Sequence, residues 1–170
     1  MIFLKPITPE TALLFKAVRL RALADAPTAF SGTYARESQL SDAEWIQRSH
    51  RWSGEEAIGY LAFDGSDPAS ACGLVACYGQ EDGGVRSGHV ISMWVDPEYR
   101  RAGVGAMLIE SLKNWARSRG LEQLSLMVTS VNEGAMNFYQ RTGFRTSGKT
   151  APYPNDPAIL EYEMLAPLIP

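Results

Sequence analysis

The residues best spaced for chemistry in this 170-residue chain are the six in "RRAGVG", residues 100–105, directly ahead of a helical pattern. The first amides of a helix have no internal partner, and the helix dipole adds partial positive charge beside them. Glycine at 103 and 105 removes the Cβ atoms that would hold an anion away, and Arg100 and Arg101 add charge. The pattern suits a phosphate or pyrophosphate. A Walker A loop is excluded, because Gly105 is followed by Ala-Met-Leu and not by Lys and Ser or Thr. A dinucleotide fingerprint wants a third glycine where Leu108 stands.

The elements that must position this loop follow from pattern and punctuation. Ile2 to Pro6 reads as a strand; Thr8, Pro9 and Glu10 open a helix over about 9–25 that Pro27 stops. "TAFSGTYARESQL" reads as a polar loop, and Ser41 with Glu44 is the capping-box pair of a short helix. "AIGYLAFD" and "ACGLVACYG" are strands joined by the turn-rich "GSDPAS"; "EDGGVRSG" reads as a loop before the strand "HVISMWVDP". Val104, Met107, Leu108, Leu112 and Trp115 then mark one face of a helix that Gly120 ends. The strand "LEQLSLMVTS", a helix from Asn132 to Gly143, and the strand "AILEYEML" complete a layered α/β arrangement in one domain, 1–170.

Composition narrows the function. With 45% hydrophobic residues, 21% charged residues and a net charge of −3, the chain as a whole is no nucleic-acid binder. It has no span of membrane length, and "MIFLKPITPE" lacks the apolar core of a signal peptide, which predicts a cytoplasmic protein and no membrane partner. Cys72 and Cys77, five apart, are expected on opposite faces of one strand as small core residues without a disulfide.

Two motifs in order carry a resemblance. Arg-x-x-Gly-x-Gly after "VDPEYR" resembles the acyl-CoA pyrophosphate loop of the GNAT superfamily of N-acetyltransferases. Asn132, Ala135, Phe138, Tyr139, Gly143 and Phe144 match its second signature, Asn-x-x-Ala-x-x-x-Tyr followed by Gly-Phe. The resemblance covers about residues 88–146 and implies the GNAT acyl-CoA N-acyltransferase fold, an α/β (α+β layered) domain. Such a domain has a mixed, mostly antiparallel sheet of about six to seven strands with helices on both faces. It implies acceptor-site loops at about 26–40 and 148–160, acetyl-CoA as cosubstrate and no metal. The acceptor would be a small-molecule amine or a peptide N-terminus, with a homodimer left open.

Roles come with the resemblance. Met93, Trp94 and Val95 would lie along the pantetheine arm, with an amide near Met93 as oxyanion donor. Arg100, Arg101, Ala102, Gly103, Val104, Gly105 and Ala106 would hold the pyrophosphate, and Asn132 would bond the arm. Ala135 and Phe138 would face the core while Tyr139 sends its hydroxyl to the departing sulfur. His89 stands where some members carry a glutamate base. Phe30, Tyr34, Glu37 and Tyr153 are acceptor-site candidates, with Trp45, Pro154 and Asp156 as further wall or charge residues; Glu81 and Asp82 are other carboxylates within reach of a cationic substrate. Two rival readings stand beside this one: a non-catalytic acyl-CoA-binding or sensing module, and a Rossmann-type nucleotide-binding enzyme.

Overall fold

Strand pairing decides where this molecule opens. In the computed structural model, which describes residues 1–65 and 67–168, one seven-stranded sheet has the order β1-β2-β3-β4-β5-β7-β6. The strands are β1 (Ile2–Pro6), β2 (Ala57–Asp64), β3 (Ala71–Asp82), β4 (Val85–Val95), β5 (Gln123–Thr129), β6 (Arg145–Tyr153) and β7 (Asp156–Pro167). Every neighbouring pair is antiparallel except β4 and β5. The expected mixed sheet is found. A parallel pair needs a long crossover, and the helix α4 (Val104–Ser118) supplies it.

Helices cover both faces. On one, α1 (Ala12–Asp25) and α3 (Asp42–Arg51) close a core of Phe15, Trp45, Leu61, Phe63, Leu74 and Trp94. On the other, α4 and α5 (Glu133–Arg141) close a core built on Leu108, Leu112, Leu124, Leu126, Phe144 and Met164. Side chains alternate along a strand. Leu124, Leu126 and Val128 of β5 turn toward α4, so Ser125, Met127 and Thr129 turn toward α1. By the same alternation Met164 and Ala166 of β7 face α4, and Glu161 and Glu163 face α1.

The start signals act as expected, with one refinement. Pro9–Thr11 forms a 3₁₀ turn ahead of α1, and the Thr8 N–H donates to Thr11 Oγ1 at 2.8 Å. Ser41 and Glu44 exchange the two bonds of a capping box, at 2.7 and 3.2 Å. Four readings need correction. "EDGGVRSG" is no loop: β3 runs to Asp82 and β4 starts at Val85, joined through Gly83 and Gly84, both at positive φ. That is the two-residue hairpin turn that only glycines or their kin accept. The loop "TAFSGTYARESQL" contains a short helix, α2 (Tyr34–Glu37). Residues 148–160 are mostly strand, with β6 turning into β7 through Pro154 and Asn155. Ser66 of the "GSDPAS" connection lies outside the described residues.

The fourth concerns the cysteines. Phe63 pairs with Ala71 and Ala62 with Gly73, so Cys72 is an extra residue that shifts the alternation. Cys72 and Cys77 therefore share one core, both free, and burial pushes the Cys77 thiol up to about 12. Among the described residues, no helix is long and apolar enough to cross a membrane.

A second shift matters more. Leu74 pairs with Trp94 but Ala76 pairs with Ile91, so β4 spends one extra residue between them. Ser92 sits there at φ 58°, a left-handed conformation unusual for a residue with a side chain.

The β6–β7 turn is tied to the segment after α1. The Tyr153 hydroxyl lies 2.5 Å from the Phe30 carbonyl and 3.1 Å from that of Pro27, and Asn155 Nδ2 donates to the Ser31 carbonyl at 3.0 Å. Tyr153 is 2% exposed. Its replacement by phenylalanine leaves buried carbonyls without that donor, so urea denaturation should show a loss of about 1–3 kcal/mol. An unchanged midpoint would mean that the tie is not stabilising.

Candidate active site

β4 and β5 pair only over Ser87–His89 with Gln123–Ser125. Beyond His89 the two strands part, and a cavity of about 260 Å³ runs between them. Its walls come from both faces of the sheet. Asn132, Ala135 and Tyr139 of the α5 segment close one end. Arg19 of α1, Phe30, Pro154 and Glu161 close the other.

At the rim, Arg101 and Gly103 take left-handed conformations, φ 69° and 85°, and turn the chain into α4. Among the described residues, no acceptor within the chain meets the amides of Gly103, Val104, Gly105 and Ala106; the first bond of α4 is Met107 N–H to the Gly103 carbonyl, 3.1 Å. A Cβ on Gly103 would meet nothing within 4 Å, so its need for glycine comes from the left-handed φ and not from crowding. A Cβ on Gly105 would stand 2.9 Å from Phe138 Cζ. The two glycines thus do different work: one turns the chain, the other lets α5 pack against the start of α4.

The structure brings His89, Met93, Asn132, Ala135, Tyr139 and Phe30 to the cavity. It keeps the amide run 103–106 beside α4 and moves several other side chains elsewhere. Trp94 points into the opposite core, where its indole N–H donates to Asp25 at 2.9 Å. Arg100 is no mobile charge: its guanidinium bonds Asp25 at 2.6 Å and the Val95 carbonyl at 3.0 Å, fastening the end of β4 to the end of α1. Arg101 is exposed and free of such a pair among the described residues. Val104 is buried, 1% exposed, so its side chain belongs to the core. Tyr139 lines the cavity with its ring buried against the α4 core, and Phe138, half-buried, packs against that core beside Gly105.

The acceptor-side candidates divide as well. Tyr34 is exposed and Tyr153 is the buried tie already described, so neither walls the cavity; Trp45 lies in the core against Phe15. Glu37 is 5% exposed and wholly engaged. It takes Arg19 Nη2 at 3.0 Å and Arg48 Nη1 at 2.6 Å. Burial pushes its carboxyl up, but the charges and hydrogen bonds of Arg19 and Arg48 outweigh that and hold it below the usual range. Arg19 reaches on to Ser92 Oγ at 3.1 Å, and its guanidinium lies over the Phe30 ring. Glu37 therefore fixes the arginine that braces the β4 bulge.

Arg19, Ser92, Thr129 and Glu161 also line the cavity and escaped the sequence reading. The alternation of β5 and β7 held the signal for the last two; nothing local marked Arg19 or the bulge. His89 Nδ1 lies 3.0 Å from Ser125 Oγ, and burial lowers its pKa against an opposing pull from Glu163. Burial pushes the Tyr139 phenol above its ordinary value.

A family model described as Acetyltransferase (GNAT) family matches residues 20–144. An IAA acetyltransferase of Azospirillum brasilense is 29% identical over 150 residues, covering 77% of this chain and 95% of that protein. Among solved structures, an acetyltransferase of the GNAT family from Streptococcus pneumoniae superposes with a TM-score of 0.78 at 23% identity, covering 98% of this chain and 99% of that one. NAA60 of Arabidopsis thaliana, in complex with a bisubstrate analogue, gives 0.72 at 16% identity over 98% of each chain. At such identities the two structures show the fold alone.

Two outcomes test the geometry. Glu37 is held below its unfolded pKa, so its contribution is present above about pH 4.3 and is lost as pH falls through the lower folded value. Urea denaturation of Glu37→Gln should show a deficit of about 3 kcal/mol at pH 7 that narrows in strong acid. A gap independent of pH would contradict the ion pairs as its source. Gly105→Ala should destabilise by about 1–3 kcal/mol through the crowding of Phe138, and Gly105→Ala with Phe138→Leu should recover part of it.

Proposed function

Because the chain belongs to the GNAT acetyltransferase family, we propose that it moves the acetyl group of acetyl-CoA to a primary amine by direct attack in a ternary complex. The observation that carries this reading is the parting of β4 and β5 beside the open amides of α4. Acetyl-CoA brings an activated thioester, so no protein nucleophile is required. The chain's residues fit it: the amides of 103–106, with Arg101, offer donors and charge for a pyrophosphate. The unpaired edges of β4 and β5, with Asn132, offer partners for a chain of amides. The Met93 amide is the oxyanion donor in this reading.

Tyr139 is the proton donor to the leaving sulfur. Desolvation keeps its phenol protonated, and the same desolvation raises the basicity of a thiolate formed beside it. His89 takes the proton of the amine. With Nδ1–H on Ser125, its Nε2 lone pair is free, and burial favours the neutral ring. We take residues 1–170 as one catalytic unit, and the two buried free thiols fit the cytoplasm. The acceptor is a small amine or a peptide N-terminus.

Calorimetric titration with acetyl-CoA, CoA and NAD tests the donor. Binding of the CoA species alone is expected, lost in Gly103→Glu and kept in Gly103→Asn, which tolerates the left-handed turn. Binding of NAD instead would favour a nucleotide enzyme of Rossmann type. Tyr139→Phe should lower kcat by about 100-fold with CoA affinity intact; unchanged turnover would remove Tyr139 from the chemistry. The wild-type kcat/KM should fall on an acid limb placed below the ordinary imidazole range, as His89 gains a proton, and His89→Ala should abolish that limb.

A further inference from the structure

The α1 side of the cavity holds two groups that no step above uses. Thr129 and Glu161 are direct partners in the β5–β7 register, so their side chains stand together on one face. That face is the one turned toward α1, opposite Tyr139. Both line the cavity. Thr129 is 4% exposed, and its Oγ1 has no hydrogen-bond partner among the described residues. A buried hydroxyl without a partner, on a residue that lines a cavity, is a polar group that a ligand would satisfy once the side chain turns toward it.

Glu161 is half-buried and no cation offsets its charge among the described residues. Each of the other charged groups on this face already has a hydrogen-bond partner, although Arg19 and Arg48 share the single carboxylate of Glu37. Arg19 is held by both oxygens of Glu37. Glu163 accepts the Ser147 hydroxyl at 2.7 Å, and burial favours the neutral form of His89. Among the described residues, the one carboxylate lining this end of the cavity, Glu161, has no partner. Desolvation raises its pKa, as it must for a carboxylate that waits for its counter-ion.

Resting on the acetyl-transfer reading above, we propose that Glu161 and Thr129 form the seat of the acceptor's ammonium group. The carboxylate is its counter-ion, and the Thr129 hydroxyl accepts one of its N–H bonds. The seat selects strongly basic aliphatic amines, which arrive charged at neutral pH. It disfavours alcohols, thiols and aryl amines, which arrive neutral and leave Glu161 unmatched. The ammonium then loses its proton to His89 in the same cavity before attack; Glu161 sets which acceptors bind and is not itself a proton carrier.

The probe is n-butylammonium chloride against its neutral isostere 1-butanol, each titrated into CoA-saturated protein and followed by the NMR shift of the Met127 methyl group, which lines the same cavity. The ammonium should bind at least about 10-fold more tightly than the alcohol. That preference should vanish in Glu161→Gln, and Thr129→Val should weaken ammonium binding while leaving 1-butanol unaffected. In the same samples, CoA affinity reports that each variant is folded. Equal binding of ammonium and alcohol by the wild type, or undiminished ammonium binding by Glu161→Gln, would overturn the seat. Thiol release from acetyl-CoA with butylamine as acceptor separates the two claims. Ammonium binding without thiol release keeps the seat and removes acetyl transfer; thiol release with equal KM in wild type and Glu161→Gln keeps transfer and removes the seat.

Discussion

Everything in the cavity depends on β4 and β5 pairing for three residue pairs and then parting. Backbone donors and acceptors left without partners inside a protein are costly. Two strand edges that face each other across a gap must therefore be answered by water or by a ligand rich in amides. β4 is turned out of the ladder by its extra residue, and Ser92 takes the left-handed conformation that the turn requires. Such strain persists only where the surroundings over-determine it.

Those surroundings are a chain of charges. Arg19 holds Ser92 through its hydroxyl, Glu37 holds Arg19 through two bonds, and Arg48 holds Glu37 from the far side. A buried carboxylate with one guanidinium would be balanced; with two, the cluster carries a net positive charge beside the cavity. The end of β4 is fastened in the same manner, by Arg100 and Trp94 converging on Asp25. Both braces begin on α1. The helix is thus the splint that keeps β4 bent, and its amphipathic face is only part of its contribution.

This explains what could be read from the sequence. Gly103, Asn132 and Gly143 act through their own backbone or the next turn, so local pattern exposes them. The strand-helix-strand order fixes the parallel pair and its crossover in the same way. Glu37 and Arg100 read as free charges because their partners lie 18 and 75 residues away in the chain. Tyr153 read as a pocket wall because nothing near it in sequence announces the Phe30 carbonyl. Phe138 and Tyr139 are adjacent helical positions that diverge by about 100°, so local pattern offers either of them to the core. Which of the two faces inward is then set by the approach of α5 to Gly105, a tertiary fact.

The sheet also separates two electrostatic tasks that would conflict in one place. The rim at α4 presents unpartnered amides and Arg101, an environment for anions. The opposite end presents Glu161 and Thr129, an environment for a cation. Were these groups adjacent, Arg101 and Glu161 would pair, and each would lose its hold on a ligand. The gap between β4 and β5 joins the two environments while keeping them on opposite faces of the sheet. In the proposed reading, a donor with a charged head and a neutral arm would span such a gap with its reactive end toward Tyr139, and an ammonium entering from the α1 side would meet it there.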